Sequence, residues 1–144
     1  MTSILRGTLA ALAFTSTVWL ATTPAAADDV DTCEKASGDE AIAACTRAIN
    51  SGRYSGGELA ALFAIRCFEW NGKQESDKAI ADCNQAIRLN PNYAKAFYNR
   101  GVSRVRNNDP QRALSDFKKF SELAPSDPDG PKAVERITKA LSGR

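Results

Sequence analysis

Histidine is absent from this sequence, and its absence narrows the possible functions more than any other compositional feature. Histidine is the commonest general base and a common metal ligand. Phosphate loops, nucleophile elbows and HExxH motifs are absent as well. Paired acids, such as Asp28–Asp29 and Asp127 with Asp129, fall at predicted termini or turns, where capping and solubility explain them. We expect no enzyme, metal or cofactor, with a carboxylate-based catalytic site as the remote alternative.

An excess of charge of either sign is also missing. The 144 residues contain 19 Lys and Arg against 17 Asp and Glu, a formal net charge of +2. No basic block is interleaved with aromatic residues. Nucleic acid and anionic membrane surfaces are therefore not the expected partners. The length is that of one domain.

Long apolar segments are missing after the first residues. Residues 1–27 contain a single charge, Arg6, then two apolar stretches, then small residues before Asp28. This pattern predicts a secretory signal peptide that is cleaved after Ala27. A retained membrane anchor is the alternative, but the stretch is too polar and too short for a good span. We expect a mature protein that begins at Asp28, is periplasmic or secreted, and does not insert stably in a membrane.

The chain has few cysteines, and all four lie in the predicted mature part: Cys33, Cys45, Cys67 and Cys83. No Cys-x-x-Cys motif is present, which argues against redox catalysis. An even number of cysteines in an oxidising compartment favours two disulfides, and three pairings are possible.

What the chain does contain is an internal repeat. Segments 60–93 and 94–127 match each other at a spacing of 34 residues. The matched pairs include Phe63 with Phe97, Arg66 with Arg100, Ala79 with Ala113, Asp82 with Asp116, and Pro91 with Pro125. A fixed period of this length indicates stacked helix pairs, which form binding surfaces.

Apolar residues recur at three- and four-residue steps, which predicts helices throughout, and we find no alternating strand pattern. A first, short helix is expected around residues 30–37. Ser55 and Glu58 have capping-box spacing, in which each side chain would satisfy the other's backbone amide. The other predicted helix starts are Gly38–Asp39, Ser76 or Asp77, Pro91, Asp109–Pro110, and Asp129–Pro131.

These repeats resemble tetratricopeptide repeats (TPR), and the chain is similar to a small exported bacterial-type member of that family. Unit 60–93 supplies Phe63, Cys67, Trp70, Ala79, Ala86 and Pro91 at the family's positions. Unit 94–127 supplies Phe97, Gly101, Ala113, Phe117 and Pro125. Three residues depart from the pattern: Cys83, Arg104 and Phe120.

The resemblance implies an all-α fold, a right-handed α–α superhelix of helical hairpins with a C-terminal capping helix. Residues 28–142 would form the repeat domain. It would comprise a degenerate unit at about 28–55, the two units 60–93 and 94–127, and a capping helix at about 130–142.

Hairpin symmetry brings together residues that are equidistant from a turn. Cys33 and Cys45 are equidistant from Asp39, and Cys67 and Cys83 from Glu75. Each pair could form a disulfide across its own hairpin, and free buried cysteines are the alternative.

The same symmetry pairs two arginines with carboxylates. It places Arg66 opposite Asp82 and Arg100 opposite Asp116. Each arginine could form a buried ion pair, or it could extend its charged head into water.

The family usually binds proteins or peptides in a concave groove lined by the first helix of each pair. Carrying over these positions gives Ala61, Ala64, Ile65, Phe68, Asn71, Lys95, Tyr98, Asn99, Val102, Val105 and Arg106. The stripe mixes apolar residues with Lys95, Asn99 and Arg106, which suits an extended peptide of some acidic character. An ordinary solvated face is the alternative.

Some family members clamp a C-terminal carboxylate with Lys, Asn and Arg from three units. Only Asn99 matches that set, and Ala64 and Phe68 stand where Lys and Asn would be needed, so we do not predict the clamp. The leading hypothesis is an exported adaptor that binds a protein or peptide. A structural subunit that oligomerises through its repeat ends is the alternative.

Overall fold

The computed structural model describes residues 25–143, and side chains from Asp28 onward. The predicted signal peptide therefore lies almost wholly outside the described residues. Seven helices follow one another through this part of the chain, without a strand. They are α1 (Ala25–Lys35), α2 (Gly38–Asn50), α3 (Gly56–Gly72), α4 (Ser76–Leu89), α5 (Ala94–Arg106), α6 (Pro110–Leu123) and α7 (Asp129–Ser142).

The helices form three antiparallel hairpins, α1–α2, α3–α4 and α5–α6, and α7 packs against α6. The first helices of the hairpins also contact each other, α1 with α3 and α3 with α5. All-helical architecture is as predicted. The first helix was predicted too short: it begins at Ala25 rather than near residue 30 and ends at Lys35. Cleavage after Ala27 would remove its first three residues.

Small residues let the two helices of each hairpin approach closely. Ala79, Ala86 and Ala113 are fully buried between helices. At Gly101 a Cβ atom would lie only 2.7 Å from Cε1 of Phe117, so the ring packs directly on the α5 backbone. The alanine-rich sequence thus determines the helix spacing, because larger side chains at these positions would force the helices apart.

The turns within the second and third hairpins share one backbone feature. Gln74 and Asn108, which are 34 residues apart in the chain, have positive φ of 62° and 57°. Left-handed residues commonly end helices, and asparagine tolerates this conformation better than glutamine. The turns therefore centre where the hairpin symmetry predicted.

Both disulfides cross their own hairpins. Cys33 joins Cys45 with a Cα–Cα distance of 4.8 Å, and Cys67 joins Cys83 at 5.5 Å. All four cysteines are fully buried, and each disulfide lies within an apolar cluster. This is the pairing expected from the symmetry about the turns.

Arg66 and Arg100 form partly buried ion pairs rather than extending freely into water. Arg66 binds Asp82 through Nε and Nη2 at 2.7 and 2.8 Å. Its Nη1 also donates to Thr46 Oγ1 of the preceding hairpin at 2.9 Å. The guanidinium lies 5.6 Å from the centre of the Phe63 ring. One arginine thus connects two helices of its own hairpin and one of the hairpin before.

The third hairpin repeats this arrangement with one addition. Arg100 binds Asp116 at 3.0 and 2.7 Å and donates to Asn84 Oδ1 at 2.7 Å. Arg104 also donates to Asp116, at 2.8 Å. The Asp116 side chain is only 3% exposed. Bidentate, charge-assisted hydrogen bonds of this kind fix the distance between the helices that carry them.

Capping was predicted less well than pairing. Asp109 caps α6 as predicted, accepting the Arg112 N–H at 3.2 Å. Ser55 is the N-cap residue of α3 but makes no side-chain cap hydrogen bond. Gly56, which follows Ser55 directly, has a left-handed φ of 52°.

The cap predicted for α4 at Ser76 or Asp77 was wrong. Glu75 is the N-cap residue, without a side-chain cap hydrogen bond. Asp77 instead accepts a hydrogen bond from Asn107 Nδ2 of the next hairpin at 2.7 Å. A contact between hairpins has replaced the local cap.

Candidate functional site

A concavity of the described residues lies on the side formed by α1, α3 and α5. It encloses about 750 Å³ and is completed by residues from the α6–α7 turn and the start of α7. Seven of the eleven predicted groove residues line it: Ala61, Ala64, Ile65, Phe68, Lys95, Tyr98 and Asn99. The first helix of each hairpin therefore contributes to one shared surface.

Phe68 is the most exposed apolar residue of this groove. Its side chain is 60% exposed, and only Val105 is a comparably exposed large apolar residue in the part of the chain that the structure describes. Leaving an aromatic ring in water forgoes up to about 3 kcal/mol of burial free energy. An exposed aromatic residue inside a concave surface is typical of a binding site.

Tyr98 is fixed by the core beneath the groove. Its ring centre lies 5.5 Å from that of Phe117 and 5.0 Å from that of Phe120, with the rings tilted. This geometry is favourable for aromatic pairs. Tyr98 therefore forms a rigid floor, and its removal would disturb the third hairpin as well as the groove.

Four of the predicted groove residues do not line the concavity. Asn71 is buried: its Nδ2 donates to the Asn99 carbonyl at 2.9 Å, and its Oδ1 accepts from Ser103 Oγ at 2.7 Å. Arg106 donates to the Asn71 carbonyl. These contacts join α3 to α5, so Asn71 and Arg106 hold the hairpins together.

The other two of these four residues are valines. Val102 packs against the apolar cluster between α6 and α7, and Val105 is exposed beyond the groove.

The groove also contains acidic residues that the sequence pattern did not indicate. Glu34 comes from α1, Glu69 from α3, Asp127 from the α6–α7 turn and Asp129 from the start of α7. Glu34 could have been found, because it precedes Phe68 by 34 residues and so occupies the same repeat position. The two aspartates could not, because they come from a turn that only the packing of α7 brings to the groove.

The acidic residues of the groove differ in their hydrogen-bond and ion-pair partners. Glu69, 8% exposed, accepts the Gly38 N–H at 2.6 Å. Asp127 accepts the Asp129 N–H at 3.0 Å. Glu34 has no ion-pair partner among the described residues. Burial raises the pKa of Tyr93, and the charge of the nearby Glu34 carboxylate raises it further.

No helix within residues 25–143 has the length and apolar character that crossing a membrane requires. Nor do the described acidic and cysteine side chains form a group of three or more that could hold a metal ion.

The fold and groove define a helical-repeat protein. A tetratricopeptide repeat family model matches residues 72–138. Among curated proteins, RNA polymerase II-associated protein 3 of Xenopus tropicalis is 35% identical over 103 residues, covering 72% of this chain. The chain spans only 15% of that protein's length.

Two solved structures have a similar fold. One is the second TPR domain of human RPAP3 in complex with the HSP70 peptide SGPTIEEVD. It has a TM-score of 0.69 and 27% identity, covering 79% of this chain and 95% of that one. The other is the first TPR of Spaghetti (RPAP3) bound to the HSP90 peptide SRMEEVD, with a TM-score of 0.71 and 24% identity, covering 82% and 90%.

The chain is accordingly a right-handed α–α superhelix of tetratricopeptide-type hairpins with a C-terminal capping helix, and the comparisons support the tetratricopeptide repeat family. This fold is generally a non-catalytic scaffold for protein interaction. The relatives found are eukaryotic, which leaves the predicted exported bacterial type as a proposal.

Proposed function

We propose that this protein is an exported adaptor that holds a peptide segment of a partner protein in its concave groove. The proposal rests mainly on the exposure of Phe68, whose side chain is 60% exposed within a groove of about 750 Å³. The RPAP3 domain, which shares the fold at 27% identity, is described in complex with a peptide. Helices lock the surrounding surface in place, so binding would cost little ordering of the protein.

Export is supported by two features of the chain. Residues 1–27 have the composition of a signal peptide, although they are almost wholly outside the described structure. Each of the first two hairpins contains a disulfide, and disulfides persist mainly in oxidising compartments such as the periplasm. We propose the periplasm or the extracellular space as the location.

Site-specific photo-crosslinking tests the proposed function. A photoreactive phenylalanine analogue is incorporated at Phe68 in producing cells, and at Val105 in a matched control. Both positions are exposed, but Val105 does not line the groove. We expect a discrete adduct with another protein from position 68 and a much weaker one from position 105.

Each alternative result has a clear meaning. Equal adducts from both positions would contradict groove binding. An adduct of the protein with itself from position 68 would favour the structural subunit, and sedimentation would then show oligomers. Fractionation of the same cells tests export. Finding the protein in the cytoplasm with reduced cysteines would refute export.

A further inference from the structure

The charges of the groove are the reverse of those expected from the sequence stripe. Of the three polar residues that suggested an acidic peptide, Arg106 is engaged with the Asn71 carbonyl and lies outside the groove. Lys95 is the one cation among the groove-lining residues, all of which belong to the described structure. Four carboxylates line the same groove, from α1, from α3 and from the turn into α7.

This imbalance is local. The whole chain has a formal net charge of +2, whereas the groove lining has one cation and four acidic residues. Two of these acidic residues already have partners: Asp129 lies 4.0 Å from Lys132 Nζ, and Glu69 is buried against the Gly38 N–H. Charges more than about 8 Å apart are largely screened at physiological salt. The groove charges therefore dominate the electrostatic potential that acts on a bound peptide segment. Low-dielectric walls around the groove strengthen that field.

The apolar residues of the groove suit the same kind of ligand. Phe68, Tyr93 and Tyr98 offer aromatic rings beside the carboxylates. Lysine and arginine side chains have an apolar stem that packs on such rings and a charged head that pairs with a carboxylate.

We propose that the groove binds a peptide segment that carries lysine or arginine, an inference that rests on the proposed function above. The stem of the cationic side chain packs against Phe68, and its head is neutralised by carboxylates that include Glu34. Acidic peptides such as SGPTIEEVD, present in the RPAP3 complex, are repelled by the same groove.

Selection from a display library of random peptides of about nine residues tests both claims: that the groove binds a peptide, and that the peptide carries lysine or arginine. The full-length chain is the bait, and Phe68→Ala is the comparison. We expect enriched peptides to contain lysine or arginine and to lose binding to the variant. Phe68-dependent peptides that are acidic or uncharged would overturn the inference and leave the proposed function standing. No Phe68-dependent peptide at all would overturn both.

A second measurement uses defined probes. SGPTIEEVD and its charge-reversed form SGPTIKKVK are titrated in fluorescence polarisation at about 50 and about 300 mM salt. We expect the lysine peptide to bind more tightly and to weaken with salt. Stronger binding of the acidic peptide would overturn the inference.

A matched pair of charge variants locates the effect. Glu34→Gln removes an exposed groove carboxylate, and Glu40→Gln removes an exposed carboxylate of α2 outside the groove. We expect Glu34→Gln to weaken the selected cationic peptide about three-fold, in line with a single exposed charge pair. Glu40→Gln should have little effect, and equal effects would overturn the assignment to the groove.

Discussion

Replacing Asp116 with asparagine removes the one negative charge that serves two arginines. The carboxylate is 3% exposed and binds Arg100 at 2.7 and 3.0 Å and Arg104 at 2.8 Å. Burial lowers the pKa of Arg104, and the Asp116 charge opposes that shift only in part. The substitution keeps the shape of the side chain but removes the ion-pair partner of both arginines.

The expected loss of unfolding free energy follows from how buried the two arginines are. Removing one partner of a buried ion pair costs about 3–5 kcal/mol. Arg100 and Arg104 are 15% and 18% exposed, so water stabilises part of the remaining charge and favours the lower end of that range. We expect a loss of about 3 kcal/mol, and a fall in Tm of roughly 12 °C for a domain of this size.

Urea unfolding followed by circular dichroism, with the disulfides intact, measures this change. The m-value should stay constant while the midpoint falls. Glu122→Gln is the matched control on the same helix, because Glu122 pairs with Lys119 at 3.1 Å on the surface. Its expected effect is under about 1 kcal/mol. If the two variants lost equal stability, the conclusion that the Asp116 cluster holds the third hairpin together would be wrong.

Three further predictions concern packing and the backbone. Gly101→Ala should lower stability by about 1–3 kcal/mol, because the new Cβ would meet the Phe117 ring at 2.7 Å; thermal unfolding measures this, and an unchanged Tm would contradict the close contact. Replacing both Cys33 and Cys45 with serine should lower stability by about 3 kcal/mol, which urea unfolding checks. Gln74→Gly should raise stability by up to about 1 kcal/mol, because φ of 62° strains glutamine; a lower urea midpoint would refute this explanation.

Features within one hairpin could be predicted from the sequence because they depend on local periodicity. Arg66 meets Asp82 and Cys67 meets Cys83 because each pair is nearly equidistant from the turn at Gln74. Two packed antiparallel helices leave little choice about which residues face each other. Helix capping was harder to predict. Asp77 accepts a hydrogen bond from Asn107 of the neighbouring hairpin instead of capping α4, and Ser55 makes no cap hydrogen bond.

Features between hairpins could not be predicted in the same way. Asn71 is buried between α3 and α5 instead of lining the groove, because its side chain bonds to the Asn99 carbonyl and the Ser103 hydroxyl of α5. Which residues of consecutive hairpins meet in this way depends on how many side chains pack together. Positions carried over from a repeat pattern do not include that information.

The sequence by itself determined the helical period, the hairpin partners and which first helices carry the groove, because these follow from residue spacing along the chain. Tertiary structure alone decided the charge of the groove. It brought Asp127 and Asp129 to the groove that Lys95 also lines, and it directed Arg106 to a backbone carbonyl, since both depend on how successive hairpins and α7 pack.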